Sequence, residues 1–275
     1  MDERKRFSEA GMERCARAVS KLHYEARQAG AEQVRLIATS AVRDAANRHG
    51  LDFYLAAIAP MMLTRIISGE EEAQLSFMGA TCIPRREGPQ GMIDIGGGST
   101  EFVIGSDLQP TDTESLPLGC VTYSMRFFQG KIGQKDFQAA TTAARNEIQR
   151  ISKLLKRTGW DFAVGTSGSA KSIRDVIAAE YGDDEESTYA GMQKIAARII
   201  EAGSTKKARF EGLKPDRIEV FAGGLAVMMA AFEELDIKKM MVTDAALRDG
   251  VFYDFIGRQL NEDMRDQTTA QFQQR

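Results

Sequence analysis

The chain has 275 residues, of which 43% are hydrophobic and 27% are charged, and its formal net charge is -3. This composition is typical of an ordinary globular protein, and the length favours two lobes over one domain. The small negative charge excludes the overall basic field of most nucleic-acid binders. The sequence contains neither a bilayer-length apolar run nor a signal peptide, so we expect a cytoplasmic protein without nucleic-acid or membrane partners.

Cysteine and histidine are too sparse to suggest a redox or metal motif. Cys15, Cys82 and Cys120 are far apart and form no CxxC pair, so we expect reduced, mostly packed thiols. The two histidines, His23 and His49, lie in a predicted helix and a predicted loop, and we expect neither to be catalytic.

The first third of the chain predicts alternating helices and strands. Ser8 is a plausible N-cap for a helix with apolar residues at intervals of three and four. A strand then leads through a Thr-Ser break into a helix that stops at Gly50. The predicted elements are a helix over 8–29, a strand over 33–38, the helix ending at Gly50, a helix over 51–59, a strand over 62–68 and a helix from Ser68 or Gly69.

The remainder predicts three antiparallel strands followed by alternating helices and strands. Glycine-rich or Asp/Pro-bearing turns separate the three strands, which are 91–96, 100–105 and 113–118. Helices are expected over 119–129, 134–158, 169–181, 188–203, 215–234 and 245–258, with strands over 161–166 and 238–243. The coarse prediction is a mixed α/β protein.

The segment MIDIGGGSTEFVIG, residues 92–105, places three glycines between two apolar runs and two carboxylates. Glycine lets the backbone approach a ligand closely, and the N–H groups of such a turn form a site for an anion such as phosphate. Asp94 and Glu101 are able to hold a divalent cation against the same phosphate oxygens. The alternative is a β-hairpin whose glycines only suit a tight turn.

The segment ISGEEEAQLSFMG predicts a helix that begins with three glutamates. Ser68 and Glu71 form a capping box, and acidic residues in a first turn complement the helix dipole. These effects explain Glu71 and part of Glu70. Glu72 gains less from them, and it is either one more acidic residue of a capped first turn, which the motif alone favours, or the carboxylate that orients or deprotonates a water.

Two further segments place polar residues where a strand meets a helix. In IATSAVRD, Arg43 lies in a first helical turn, where a cation is unfavourable unless an anion accompanies it. That anion is either a phosphate or an Asp or Glu side chain. The segment AVGTSGSAKS, residues 163–172, presents hydroxyls and amides at a helix start, as either a phosphate site or an ordinary capped turn.

Six motifs in order resemble the exopolyphosphatase and guanosine pentaphosphate phosphatase (Ppx/GppA) family, and the resemblance runs to about residue 260. They are ATSAVR, SGEEEA, IDIGGGSTE, SLPLGC, GTSGSAKS and DAALRDG. The resemblance implies an α/β, two-lobed, actin-like or sugar-kinase-like (ribonuclease H-like) fold. It also implies Mg²⁺-dependent removal of terminal orthophosphate from inorganic polyphosphate, or of the 5′ γ-phosphate from guanosine pentaphosphate.

The resemblance also implies roles for individual residues. The catalytic glutamate falls on Glu72, and the arginine after ATSA falls on Arg43. Asp94 and Glu101 are the expected metal-associated carboxylates. The expected phosphate-binding residues are Gly96, Gly97, Gly98, Ser99 and Thr100 in the first turn, and Gly165, Thr166, Ser167, Gly168 and Ser169 in the second.

By the same resemblance, residue 1 aligns with an internal position of the family, and the first strand hairpin, with its own phosphate loop, is expected to be absent. The expected division is residues 1–70 plus about 251–262 for the first lobe, 71–250 for the second lobe and 263–275 for a polar tail. A homodimer is a family expectation.

Exopolyphosphatase activity is therefore the expected function, and three alternatives stay open. The first is hydrolysis of guanosine pentaphosphate, which offers a terminal phosphoanhydride to the same residues. The second is a small-molecule kinase of the same superfold. The third is a polyphosphate-binding fragment without activity.

Overall fold

The computed structural model describes residues 6–50, 63–82, 87–182 and 186–259. The chain divides into two compact units, Met1–Ser68 and Gly69–Arg275. The predicted helix over 51–59 and the predicted tail lie outside the described residues. Two lobes were expected, but the predicted boundaries near residues 70, 251 and 262 stay predictions.

The Met1–Ser68 unit contains a helix packed beside two parallel strands. Ser8 caps α1, because its hydroxyl accepts a hydrogen bond from the N–H of Gly11 at 3.2 Å. Of the apolar residues that predict this helix, Met12 and Val19 are buried, whereas Leu22 is 65% exposed, so the buried stripe is shorter than the sequence predicts. The elements are α1 (Glu9–Gln28), β1 (Arg35–Ala38), α2 (Ser40–Arg43) and β2 (Leu63–Ile66), and β1 pairs with β2 in parallel.

The prediction of one continuous helix that ends at Gly50 is wrong. The observed helix α2 ends at Arg43, and helical backbone resumes only at residue 48. Between them, the Asn47 side chain accepts a hydrogen bond from the N–H of Phe7 at 2.8 Å and donates one to its carbonyl at 3.0 Å. The backbone between Arg43 and residue 48 forms turns, with the N–H groups of Ala45 and Arg48 bonded to the carbonyls of Val42 and Ala45.

The Gly69–Arg275 unit is built on a six-stranded sheet with the order β5-β4-β3-β6-β8-β7. Its helices are α3 (Gly69–Cys82), α4 (Cys120–Phe127), α5 (Gln134–Thr158), α6 (Ser167–Tyr181), α7 (Tyr189–Ala202), α8 (Thr205–Ala208), α9 (Ile218–Glu234) and α10 (Leu247–Gln259). Its strands are β3 (Gln90–Ile95), β4 (Thr100–Ser106), β5 (Gln109–Leu116), β6 (Phe162–Thr166), β7 (Glu186–Thr188) and β8 (Lys239–Val242).

Apolar side chains cover both faces of the central strands. On one face, Ile93 and Phe102 join the main core, together with buried residues of α4 to α7 and α9. On the other face, Phe77 of α3 packs with Met92 and Val103. Because successive side chains of a strand point to opposite faces, the residues at even positions of β3 and odd positions of β4 face α3.

The sequence predicts most elements of this unit, including the antiparallel arrangement of β3, β4 and β5. It misses the short strand β7 and the short helix α8. The helix predicted over 215–234 begins as a 3₁₀ turn, Pro215–Arg217, before α9. Within the described residues, no helix is long and apolar enough to cross a bilayer. Cys15 and Cys120 are free thiols, as expected, whereas the Cys82 side chain lies outside the described part.

Candidate active site

Two glycine-containing turns lie side by side at the ends of neighbouring strands. Strand β3 pairs with β4 in the antiparallel direction and with β6 in the parallel direction. In this register, Asp94 stands opposite both Glu101 and Thr166. The β3–β4 turn, residues 96–99, and the β6–α6 turn, residues 165–169, therefore meet at the same edge of the sheet, where α/β folds bind ligands.

The first turn is held by its carbonyl groups. The N–H groups of Cys120 and Val121, at the start of α4, donate to the carbonyls of Gly96 and Gly97 at 2.9 and 3.0 Å. Gly119 passes so close that a Cβ there would lie 2.1 Å from the Gly97 oxygen. A side chain at residue 119 would therefore displace the turn.

Unlike its carbonyl groups, the N–H groups of the first turn are only partly hydrogen-bonded within the protein. The Gly96 N–H donates to the Ser99 carbonyl at 2.9 Å, which closes the turn. Within the described part of the chain, the N–H groups of Gly97 and Gly98 make no hydrogen bond. These two donors can bind an anion without breaking any bond of the fold.

Three carboxylates are buried together beneath this turn. Asp94 and Glu101 are on the face of the sheet that α3 covers, and their exposed fractions are 5% and 1%. Glu72, on α3, is 9% exposed, and its negative charge acts on Glu101. Glu70, in the same helical turn, is exposed to solvent. The structure thus brings Glu72, Asp94 and Glu101 together, as the sequence predicts.

Burial dominates the electrostatics of Asp94. Removal from water raises the pKa of its carboxyl above the ordinary value, because the charged form loses hydration. The hydroxyls of Ser167 and Ser76 and the positive charge of Lys171 act in the opposite direction. A neighbouring cation would offset the cost of burying the ionised carboxylate.

Glu101 is perturbed by burial and also by its neighbours. Burial, followed by the negative charges of Glu72 and Asp94, raises the pKa of Glu101 from 4.5 to about 8. Hydrogen bonds from Ser99 and Ser115 limit the rise, and the Ser115 hydroxyl donates to Oε1 of Glu101 at 2.9 Å. The site therefore holds more potential negative charge than the protein alone neutralises.

These residues fit a divalent cation such as Mg²⁺. Within the described residues, no group of three or more His, Cys, Asp or Glu side chains is placed to hold a metal ion by itself. Mg²⁺ does not need one, because it commonly binds one or two carboxylates and completes its octahedron with water and substrate phosphate. The raised pKa of Asp94 and of Glu101 indicates an unmet demand for positive charge at two hard oxygen ligands.

The second turn is braced at several points. The Thr166 hydroxyl donates to the Ala245 carbonyl at 2.8 Å, and the Gly165 carbonyl accepts from the N–H of Thr243 at 3.0 Å. Ser167 has a φ of 66°, which is rare for a residue with a side chain. Such strain is typical of functional turns, and here it places the Ser167 hydroxyl where it lowers the pKa of Asp94.

One hydrogen bond joins the second turn directly to β3. The Ser169 hydroxyl donates to the Ile95 carbonyl, the residue just before the first turn, at 3.2 Å. Thr100, predicted to bind phosphate, instead has its hydroxyl bonded to the Leu118 carbonyl. The hydroxyls of Thr100 and Thr166 are thus occupied within the fold.

Arg217 is a candidate site residue that the sequence reasoning missed. Its Nη2 is 3.4 Å from the Ser169 hydroxyl and 3.9 Å from the Cys120 thiol. Its Nε is buried and has no hydrogen-bond partner among the described residues. The guanidinium lies against Gly168, where a Cβ would come within 2.8 Å of Cζ. The surrounding segment, PDR at residues 215–217, contains no motif that marks this arginine as a site residue.

Arg43 belongs to the Met1–Ser68 unit, and only its surroundings in that unit are described. Its Nη1 donates to the Ile67 carbonyl at 2.9 Å, and its Nε is 4.0 Å from the Asp44 carboxylate. Asp44, the next residue in the chain, is therefore close to Arg43. An acidic side chain was one of the two anions expected as a partner of Arg43. Its contact with a phosphate stays a prediction.

Comparison with known proteins agrees with this architecture. A solved exopolyphosphatase-like protein is 25% identical, with a TM-score of 0.80 and coverage of 94% of this chain and 88% of that one. An exopolyphosphatase from Cytophaga hutchinsonii is 17% identical, with a TM-score of 0.82 and coverages of 94% and 85%. A family member from Aquifex aeolicus is 22% identical, with a TM-score of 0.75 and the same coverages.

The family model of the Ppx/GppA phosphatases matches residues 1–259. The match spans both compact units and includes both glycine turns, Glu72 and Arg217. The mixed α/β fold expected from the resemblance to actin-like, sugar-kinase-like proteins is confirmed. The chain belongs to the Ppx/GppA phosphatase family, whose members are hydrolases acting on phosphate-containing substrates.

Proposed function

We propose that this protein is an exopolyphosphatase, which releases terminal orthophosphate from inorganic polyphosphate. The observation that carries the proposal is the convergence of two turns with three buried carboxylates at one edge of the sheet. Free amides suit phosphate oxygens, and carboxylates suit a cation and an attacking water. Guanosine pentaphosphate is the alternative substrate.

The terminal phosphate binds first to the backbone. The N–H groups of Gly97 and Gly98 donate to its oxygens, and the Arg217 guanidinium neutralises charge near the second turn. The hydrogen bond between Ser169 and the Ile95 carbonyl holds the two turns at a fixed spacing. Positioning of this kind supplies much of the rate in phosphoryl transfer, because the transition state is loose.

Glu72 then acts on water. Its carboxylate orients a water in line with the bridging oxygen and accepts a proton as the water attacks phosphorus. The bond from phosphorus to the bridging oxygen breaks, orthophosphate leaves, and the remaining chain is one phosphate shorter. Asp94 and Glu101 would hold Mg²⁺, which when bound supplies positive charge to the phosphate oxygens.

The decisive experiment compares Glu72→Gln with Glu70→Gln, a matched change in the same helical turn. With long-chain polyphosphate and Mg²⁺, we expect Glu72→Gln to lower orthophosphate release at least a hundredfold, as loss of a general base typically does. Glu70→Gln should retain activity, because Glu70 is exposed. Equal rates for the two variants would remove Glu72 from the mechanism, and guanosine pentaphosphate assayed in parallel decides the substrate.

A further inference from the structure

We propose that residues 206–217 form a basic strip that binds the distal phosphates of a long polyphosphate chain while its end is hydrolysed. The cations of the basic strip are Lys206, Lys207, Arg209, Lys214 and Arg217, and its two carboxylates are Glu211 and Asp216. This proposal rests on the proposed function and adds to it a second contact region that selects polymers. A protein of net charge -3 would otherwise repel such a polyanion.

In the basic strip, two apolar residues are buried and the lysine side chains are exposed. Thr205, Ala208 and Phe210 are buried, while Lys206 and Lys207 are exposed. Phe210 packs edge-on against Phe221 of α9 with the ring centroids 5.8 Å apart. The backbone is therefore anchored by its apolar residues, and the strip's cations other than Arg217 are exposed to solvent.

The cations of the basic strip have no acidic partner among the described residues, as is also true of isolated exposed cations such as Lys153 and Arg157, but in the strip they follow one another within twelve residues. Elsewhere Arg145 pairs with Glu233 and Glu234, and Lys156 pairs with Asp236. Within the described residues, no ion pair involves a cation of the basic strip. Unpaired cations in a row favour a polyanionic ligand over internal structure.

The strip follows α6 back to the second glycine turn. At its outer end, the Glu211 N–H donates to the Glu180 carboxylate at 2.8 Å, and Arg198 bridges Glu180 to the Arg209 carbonyl. Farther along, Gly212 lies against the Asp175 carbonyl, where a Cβ would come within 2.4 Å of the oxygen.

At its inner end, Arg217 lies against Gly168. From Glu180 to Gly168 is twelve residues of α6, which at about 1.5 Å per residue is about 18 Å. The basic strip therefore extends outward from the proposed site of the terminal phosphate. A linear polyphosphate can occupy both regions, whereas tripolyphosphate is too short to extend along the strip.

The test uses the full chain and two triple variants of equal charge change. Lys206→Gln/Lys207→Gln/Lys214→Gln neutralises the strip and leaves Arg217 in place. The control, Lys153→Gln/Arg157→Gln/Lys238→Gln, removes the same charge from exposed positions on α5 and after α9. We measure KM and kcat for long-chain polyphosphate and tripolyphosphate, and direct binding of labelled long-chain polyphosphate in EDTA.

We expect the strip variant to raise KM for the long chain about tenfold at low salt, from three weak surface contacts, with kcat unchanged. The KM of the strip variant for tripolyphosphate should equal that of the wild type. The control variant should have wild-type KM values for both substrates. By analogy with single-stranded polyanions, the slope of log affinity against log salt should fall by about two, since each contact contributes about 0.7.

Three results would overturn the proposal: unchanged long-chain KM and binding, an equal KM rise for tripolyphosphate, or an equal loss in the control variant. Competition by single-stranded RNA as strong as that by polyphosphate of equal charge would also overturn it, in favour of a nucleic-acid surface. If the wild type releases no orthophosphate, the proposed function fails. The EDTA binding measurement then still decides whether the basic strip holds the polymer.

Discussion

The two glycine turns of the site are adjacent, but they are built from opposite chemistry. The turn at residues 96–99 is bare backbone above Asp94 and Glu101, and its free donors are amides. The turn at residues 165–169 carries hydroxyls, a strained Ser167 and the Arg217 guanidinium. One side therefore demands positive charge, while the other supplies it.

Under the proposed function, this difference explains how one small region would accommodate a phosphate. Carboxylates alone would repel it, and arginine alone would bind it without positioning a water. With the two turns fixed side by side by β3, the charges are separated along the sheet edge. The glycines serve distinct purposes, and substitutions should distinguish them.

The largest effect should come from Gly119→Ala, which breaks the first turn. Its Cβ would lie 2.1 Å from the Gly97 oxygen and 2.4 Å from the Gly98 nitrogen, and backbone cannot yield as a side chain does. We expect a loss of about 3 kcal/mol in the free energy of unfolding, measured by urea denaturation, as for severe overpacking. Activity should be lost as well.

Gly168→Ala is the matched change in the second turn. Its Cβ would lie 2.8 Å from the Arg217 Cζ, which is the far end of a flexible side chain. We expect the free energy of unfolding to change by less than about 1 kcal/mol, since alanine also favours the helix. Equal destabilisation by both substitutions would contradict the distinction between the two turns.

Arg217→Gln tests whether the guanidinium beside the second turn binds phosphate. Loss of a charged hydrogen bond to phosphate is expected to cost about 2 kcal/mol, or about a thirtyfold rise in KM. Arg217→Lys should fall between this variant and the wild type, because it keeps the charge but not the planar fork. A rise in KM with stability unchanged separates substrate binding from folding, and unaltered KM in Arg217→Gln would exclude the role.

Glu101→Gln tests the anionic side through pH. Because the pKa of Glu101 is raised from 4.5 to about 8, the folded state binds more protons than the unfolded state in that interval. Its contribution to stability is therefore greatest at the acidic end and is lost as pH rises. In EDTA, we expect the Tm of the wild type to fall by about 5 °C more than that of Glu101→Gln between about pH 5 and pH 8.

Mg²⁺ should reverse this loss. Near pH 8 it should raise the Tm of the wild type, because a cation bound at Asp94 and Glu101 stabilises the ionised carboxylates. Glu101→Gln should respond less. A wild-type Tm that rises with pH in EDTA would show that burial does not control this carboxyl.

The sequence predicts features that depend on neighbouring residues. The first turn, its two strands and the carboxylates beside it follow from alternation around three glycines, and β3 and β4 are found within one residue of their expected bounds. Capping leaves Glu72 only as a candidate, and its expected catalytic role comes from the resemblance of SGEEEA to the family motif. Such signals are local, so a single sequence carries them.

The missed features depend on contacts that are distant along the chain. The break after Arg43 is accompanied by the pairing of Asn47 with Phe7, and β7 exists through its pairing with β8. Arg217 reaches Ser169 from 48 residues away. Periodicity contains no information about such contacts, and a residue without a motif is found only when the folded chain is known.

The position of β3 has a consequence for motion. It is hydrogen-bonded on both sides in the middle of a six-stranded sheet, so its amides should be among the slowest in the molecule to exchange with deuterium. By contrast, the amides of Gly97 and Gly98, only two and three residues beyond its end, make no bond within the described chain and should exchange quickly. Under the proposed function, binding of phosphate would protect them, and the substrate would complete a hydrogen-bonding pattern that the fold leaves open.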